Sequence, residues 1–253
     1  MMPPSDDSDG SPRTKYVASV CGRFTSLTPP GELAQLFQTE PASDDVAGFG
    51  PSYNVAPTTR ILAVAVDREG RRRLGRFQWG LVPSWAKDSS GSARLVNARS
   101  ETVFDKPSFR HLVPSRRCIV PMDGFYEWRT LYEAPRPAKA PKEPVYITRR
   151  DGRPLAVAGL WSSWRADGDA PWLHTCCVLT TDANAAIDPI HDRMPVILEE
   201  EDWSTWLDPT LSDRSELTAF MVPASDEIID VRPVSTRVNS VRNNDPSLLD
   251  RID

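Results

Sequence analysis

The sequence predicts an α+β domain built on a strongly bent, mainly antiparallel sheet. Many short runs rich in Val, Ile, Leu and aromatic residues are separated by turn-forming residues, and only a few short amphipathic segments lie between and after them. The 253-residue chain is 40% hydrophobic and 26% charged, an ordinary composition for one large globular domain or two small ones.

Residues 1–20 (MMPPSDDSDGSPRTKYVASV) offer little apolar surface to offset ordering and read as a disordered extension. Val20 carries a further expectation: a GTG codon encodes valine within a bacterial gene and methionine at its start, so Val20 is a candidate true initiator, and its trimming or self-cleavage would leave Cys21 first. The 21–247 stretch then reads as one domain, with 248–253 as a tail.

A short helix is expected over Pro30 to Phe37, with Leu33, Leu36 and Phe37 on one face, followed by a polar loop to Pro51. Ile61 to Val66 and Arg73 to Trp79 alternate like strands around the turn Asp67-Arg68-Glu69-Gly70 and predict a hairpin. Further strands are expected at Arg94 to Ala98, Cys118 to Pro121, Phe125 to Trp128, Val145 to Thr148, Leu155 to Trp161 and Leu173 to Thr180. Thr130 to Pro144, rich in Pro, Ala and Lys, reads as an exposed loop. Short helices are expected at Ser100 to Phe104, Asp182 to Ile187, Glu199 to Trp206 and Asp213 to Met221, with Asp182 and Asp213 as N-caps.

No run of about 18 apolar residues occurs, so a spanning helix is not expected. The acidic, proline-containing N-terminus lacks the basic start and apolar centre of a signal peptide, so a cytoplasmic protein is expected. Four cysteines (Cys21, Cys118, Cys176, Cys177) without CxxC spacing, and three histidines, argue against a zinc site or a disulfide framework. The formal charge of −5 is uneven: Arg60 to Arg117 holds 13 Lys or Arg against 5 Asp or Glu, and Glu199 to Asp253 holds 5 against 13. A basic face on an acidic protein is compatible with a polyanionic ligand, although Arg71-Arg72-Arg73 also reads as a solvated hairpin tip.

The chemistry-bearing residues fall in separated motifs. Cys21-Gly22-Arg23-Phe24 would, at a chain start, offer an α-amine and a thiol two carbons apart. That pair closes a five-membered thiazolidine on an aldehyde, and the ordinary pKa values, about 8 for the amine and about 8.5 for the thiol, leave workable reactive fractions near neutrality. Read alone, Cys21 is a small buried hydrophobe, as free cysteines commonly are. Tyr53-Asn54-Val55-Ala56-Pro57 reads as a turn. Trp79, in WGLVPSW, is either core or a platform for an unstacked base. Asn97 and Arg99, two apart at a strand end, would share a side, with Glu101 at a helix start. Glu127, within the aromatic run Phe125-Tyr126-Glu127-Trp128, would have a raised pKa and shuttle protons near neutrality, unless alternation turns it to solvent. His191, in HDRMP, sits at a loop position suited to function.

CGRFT at Cys21, YNVAPT at Tyr53, WGLVPSWAKD at Trp79, NARSET at Asn97, RRCIVPMDGFYEW at Arg116 and HDRMPVIL at His191, in this order, resemble the SOS-response-associated peptidase (SRAP) family of abasic-site processing proteins. The resemblance runs from Cys21 to about Ser247. It departs at the N-terminus, where the family ordinarily carries only the initiator methionine before the cysteine.

The resemblance implies a single domain with a barrel-like β core, short peripheral helices and a groove for single-stranded DNA. The N-terminal cysteine would capture the abasic-site aldehyde as a thiazolidine DNA–protein crosslink. By motif position, Asn97 would hold the sugar and amine, Glu127 would move protons, and His191 would assist ring opening and reversal. Arg23, Asn54, Pro57, Trp79, Arg99, Thr180 and Arg193 would contact DNA. No cofactor or metal is implied; replication-fork proteins are candidate further partners, a monomer is expected, and bound molecules would associate with the bacterial nucleoid. The rival expectation is a cysteine peptidase acting in trans through Cys21, His191 and Glu127, which would tolerate residues before Cys21.

Overall fold

The computed structural model describes residues 21–40, 44–131 and 140–252. The expected disordered extension at 1–20 and most of the expected 130–144 loop lie outside the described residues. In chain order the elements are β1 (Arg23–Ser26), α1 (Pro30–Leu36), α2 (Asp44–Ala47), β2 (Ser52–Val55), β3 (Arg60–Val66), β4 (Arg72–Trp79), β5 (Asn97–Arg99), β6 (Arg117–Met122), β7 (Gly124–Thr130) and β8 (Lys142–Arg149). They continue with β9 (Leu155–Trp164), β10 (Leu173–Asp182), β11 (Arg193–Pro195), α3 (Trp203–Leu207), α4 (Arg214–Ala219) and β12 (Ile229–Pro233), with single 3₁₀ turns between some of them.

Five strands close on themselves in the order β10-β4-β3-β6-β9, with β9 returning to β10, and β5 and β11 add to the same sheet through β10. A second sheet runs β12-β8-β7-β1-β2. Pairing is antiparallel except where β10 meets β4 and β5. The expected α+β class with a barrel-like, mainly antiparallel core is the observed one.

Period-two alternation builds the layers. Ile61, Ala63 and Ala65 of β3 face the same apolar cluster as Phe77, Trp79, Val120, Val157 and Val178, and this cluster joins the second sheet through Phe24, Phe125 and Ile147. The alternate residues Leu62, Val64, Ile119, Ala158 and Leu179 meet the helices, contributed by Leu33, Phe37, Trp203, Trp206 and Leu217. Helix α1 starts at a proline, whose fixed φ suits the first helical position. The Asp213 side chain accepts from the Glu216 N–H at 3.0 Å, so the expected cap of α4 is present.

Several expectations are corrected. Ser100 to Phe104 forms hydrogen-bonded turns rather than a helix; Pro107 has no N–H to donate to the Val103 carbonyl four residues back. Asp182 is not an N-cap: it ends β10, opposite Arg193, and Asn184 caps the following turn by accepting from the Ile187 N–H. Tyr53 to Val55 is strand, not turn, because β2 pairs with β1. Thr130 and Lys142 to Pro144 are paired strand ends, which shortens the expected loop. Residues 248–252 are not a loose tail, since Leu248 is fully buried and Arg251 bridges to Val234.

Candidate active site and nucleic-acid face

Strand β7 lies between β1 and β8, with Tyr126 opposite both Arg23 and Tyr146 and Glu127 opposite Val145. Its start is fixed by Gly124, where a Cβ would lie 2.5 Å from Tyr146 Cζ and 2.7 Å from the Ile147 carbonyl oxygen. Asp123, just before, accepts from the Leu27 and Thr28 N–H groups at 2.5 and 3.1 Å and so holds the chain leaving β1. The DGFYE run therefore sets the register of the strand that carries Glu127.

Alternation places Glu127 on the side of Phe125, facing the interior, while Tyr126 turns to the opposite cluster. The carboxylate is 4% exposed and accepts from the Cys21 main-chain nitrogen at 2.6 Å. The sequence alternative that turned Glu127 to solvent is thereby corrected. Burial pushes its carboxyl up from 4.5 to about 7, although the hydrogen bonds from the Cys21 and Trp128 nitrogens pull the other way.

Cys21 is fully buried, with φ of 51° in the left-handed region. Burial, and secondarily the Glu127 carboxylate, pushes its thiol well above the ordinary value. The ordinary thiol value expected from the sequence is thus raised by burial.

The other expected site residues divide into two groups. Arg23 donates to Asn54 Oδ1 at 2.9 Å and to the Val238 carbonyl at 3.1 Å. Asn54 is 5% exposed, and its Nδ2 donates toward the carbonyls of Val238, Ser240 and Asn243 at 3.2, 3.0 and 2.9 Å. The DNA-contact expectation for Asn54 is thus corrected: its amide ties down the 238–243 segment. Pro57 is half-buried in the turn before β3.

The second group lies around β5 and β10, where Asn97, Ala98 and Arg99 pair in parallel with Val178, Leu179 and Thr180. Asn97 is half-buried and Arg99 exposed, on the same side as expected. Arg193 reaches over this edge, paired with Glu101 and with Asp182 at 2.8 Å, and donates to the Thr180 carbonyl at 2.7 Å. Arg193, expected as a DNA contact, thus has its charge already met by two carboxylates. Thr180 is 2% exposed, and its expected DNA contact is corrected likewise.

His191 Nδ1 accepts from the Arg193 N–H at 3.1 Å, which leaves the proton of the neutral ring on Nε2. Asp192 lies 2.8 Å from the same Nδ1, poised to pair if the ring is protonated. Among the described residues no hydrogen bond joins the Cys21 thiol to an imidazole, and the Cys21 contact is the one from its main-chain nitrogen to Glu127.

Trp79 resolves to the core. Its indole is fully buried, edge-on to Phe24 at 5.0 Å, and donates to the Val96 carbonyl at 3.1 Å. The base-platform expectation for Trp79 is corrected; the exposed indole of the same motif is Trp85, at 67%. Only its position after a proline-containing loop could have singled it out in the sequence.

The basic stretch is partly spent inside the protein. Arg117 is buried and donates to the Trp206 and Asp208 carbonyls, and Arg71 and Arg73 pair with Asp67. Arg60, Arg94, Arg99 and Arg116 are exposed, and among the described residues none of them has a carboxylate at ion-pair distance. Among the described residues no group of three or more His, Cys, Asp or Glu converges as a metal site would require, and no helix is long and apolar enough to cross a membrane.

A model of the family described as SOS response associated peptidase (SRAP) matches residues 20–241. The chain is 38% identical over 231 residues to the abasic site processing protein YoqW of Bacillus subtilis (strain 168), a match spanning 91% of this chain and 99% of that one. It is 35% identical over 224 residues to the abasic site processing protein HMCES of Gallus gallus, spanning 79% of this chain and 66% of that one. A crystal structure of a protein from Bacteroides thetaiotaomicron is similar with a TM-score of 0.79 at 27% identity, covering 92% of this chain and 100% of that one.

Proposed function

The chain belongs to the SOS response associated peptidase (SRAP) family, and we propose that it processes abasic sites in single-stranded DNA by forming a covalent thiazolidine between Cys21 and the lesion. The observation that carries this reading is the 2.6 Å contact between the Cys21 nitrogen and the buried Glu127 carboxylate. A carboxyl poised near pH 7 beside a main-chain nitrogen suits amine chemistry at that nitrogen.

In a form beginning at Cys21, that nitrogen is a primary amine. It adds to the open-chain aldehyde carbon; Glu127 takes a proton from the nitrogen and returns one to the departing hydroxyl, so one water leaves and an imine forms. The thiol then adds across the C=N bond, sulfur to carbon and proton to nitrogen, closing the ring with no further loss. Glu127 relays that proton, taking it from the sulfur, whose thiol burial pushes up, and passing it to the nitrogen. Asn97 orients the sugar, His191 supplies a proton through Nε2 for ring opening and reversal, and Arg23 and Arg99 meet flanking phosphates. Pro57 and the exposed Trp85 contact bases displaced around the lesion.

The test separates amine from thiol. Protein beginning at Cys21 is expected to give an adduct with abasic single-stranded DNA that survives denaturation without reductant. Cys21→Ser, which keeps the amine, is expected to give an adduct only when borohydride traps the imine. A Cys21→Ser adduct as stable as that of the unaltered protein would sink the thiazolidine reading.

A further inference from the structure

The hairpin formed by β9 and β10 carries an arrangement that the crosslinking chemistry does not use. The Arg116 guanidinium lies 4.4 Å from the centre of the Trp161 ring, and Arg165 lies 4.6 Å from the centre of the Trp172 ring. Trp161 is also edge-on to His174, with ring centres 6.2 Å apart, and the Ser163 hydroxyl fixes the imidazole through a 2.9 Å hydrogen bond to Nδ1. Arg116, Arg165, Trp172 and His174 are exposed, Trp172 at 56%. Among the described residues no carboxylate pairs with either guanidinium. The hairpin-tip Asp167 instead accepts from the backbone N–H groups of Asp169 and Ala170.

The hairpin adjoins the loop that carries Trp85. The Trp164 indole donates to the Ala86 carbonyl at 2.7 Å, fastening the hairpin to the loop that exposes Trp85. Trp161 and Trp172 each lie against a guanidinium that has no carboxylate partner among the described residues, and Arg165 also donates to the Gly168 carbonyl at 2.7 Å. That combination, π-faces for bases with cations for phosphates, is what a sequence-tolerant single-strand track requires.

We infer that the β9–β10 hairpin is a second nucleic-acid platform, on which Arg116–Trp161 and Arg165–Trp172 receive bases and phosphates of the strand on one side of the lesion. The inference rests on the single-stranded DNA reading of the protein. It assigns to these pairs an extension of the strand path beyond the crosslinking pocket.

The test uses two oligonucleotides with the abasic site about three nucleotides from one end or the other, so that a flank of about 12 nucleotides extends only 5′ or only 3′. Binding is read by fluorescence anisotropy across a salt series, with the protein beginning at Cys21 and with its Arg116→Gln and Trp172→Ala variants, both surface changes. With one flank polarity, each variant is expected to bind about 10-fold more weakly than the unaltered protein. Arg116→Gln is also expected to make the plot of log K against log salt shallower by about 0.7. With the other polarity the variants and the unaltered protein are expected to coincide. Unchanged binding for both polarities, while the unaltered protein still binds, overturns the platform and leaves the DNA reading standing; this is also the outcome if the face serves a protein partner. Equal weakening for both polarities overturns it in favour of a diffuse charge effect. Failure of the unaltered protein to bind either oligonucleotide overturns the DNA reading and the platform together.

Discussion

The Cys21 main-chain nitrogen donates to Glu127 Oε1 at 2.6 Å across 106 residues of sequence, in a site closed to solvent on both sides of the contact. Strand β7 brings the carboxylate there because Gly124 allows β7 to lie against β8 and because alternation turns Glu127 inward with Phe125.

Removing the acid–base function should slow the chemistry without abolishing binding. Glu127→Gln keeps the shape and is expected to lower the single-turnover crosslinking rate about 10²- to 10⁴-fold. DNA affinity is expected to stay within about threefold. Single-turnover gel kinetics and anisotropy on the same samples separate the two effects.

The raised Glu127 pKa also predicts a stability signature. The folded value of about 7 lies above the ordinary 4.5, so folding favours the protonated form. That contribution is fully present below about pH 4.5, declines as pH rises, and is lost above about pH 7. At about 1.4 kcal/mol per pH unit it amounts to about 3 kcal/mol. Urea unfolding of Glu127→Gln is therefore expected to show a flatter pH dependence between 4.5 and 7 than the unaltered protein, and a stability gain above pH 7. A parallel pair of pH curves would contradict the assignment.

The two tryptophans of WGLVPSW should part company. Trp79→Ala empties the core next to Phe24 and strands the Val96 carbonyl, at a cost of about 3 to 5 kcal/mol. Trp85→Ala is expected to leave stability within about 0.5 kcal/mol and to weaken single-stranded DNA binding about 10-fold. Thermal melts and anisotropy on the pair check this division.

Asn54→Ala leaves the Arg23 donor and three carbonyls of the 238–243 segment without their shared partner. The expected cost is about 1 to 3 kcal/mol. Hydrogen exchange should rise locally in residues 238–243 while β3 and β4 remain protected.

What could be read from the sequence followed from local pattern. The β3–β4 hairpin was legible because its alternation is uninterrupted and its turn is marked by Asp67 and Gly70. Glu127 was legible because a carboxylate among Phe125, Tyr126 and Trp128 conflicts with its surroundings. Partner-dependent features were not. The Tyr53 to Val55 stretch looks like a turn until β1 pairs with it, and β11 is a strand through its pairing with Thr180 to Asp182 of β10. The choice between Trp79 and Trp85 as the exposed ring depends on Phe24 and Val96, which are distant in sequence. The thiol's elevation likewise comes from the tertiary burial of Cys21, which its short flanking motif does not encode.

The most direct test of the central claim is the intact mass of the adduct between abasic single-stranded DNA and two forms of the protein, one beginning at Cys21 and one retaining the preceding residues under conditions that prevent processing. The account predicts an adduct for the form beginning at Cys21 alone, at the summed mass less one water, stable without reductant. An equally abundant adduct from the extended form, or none from the form beginning at Cys21, would contradict it.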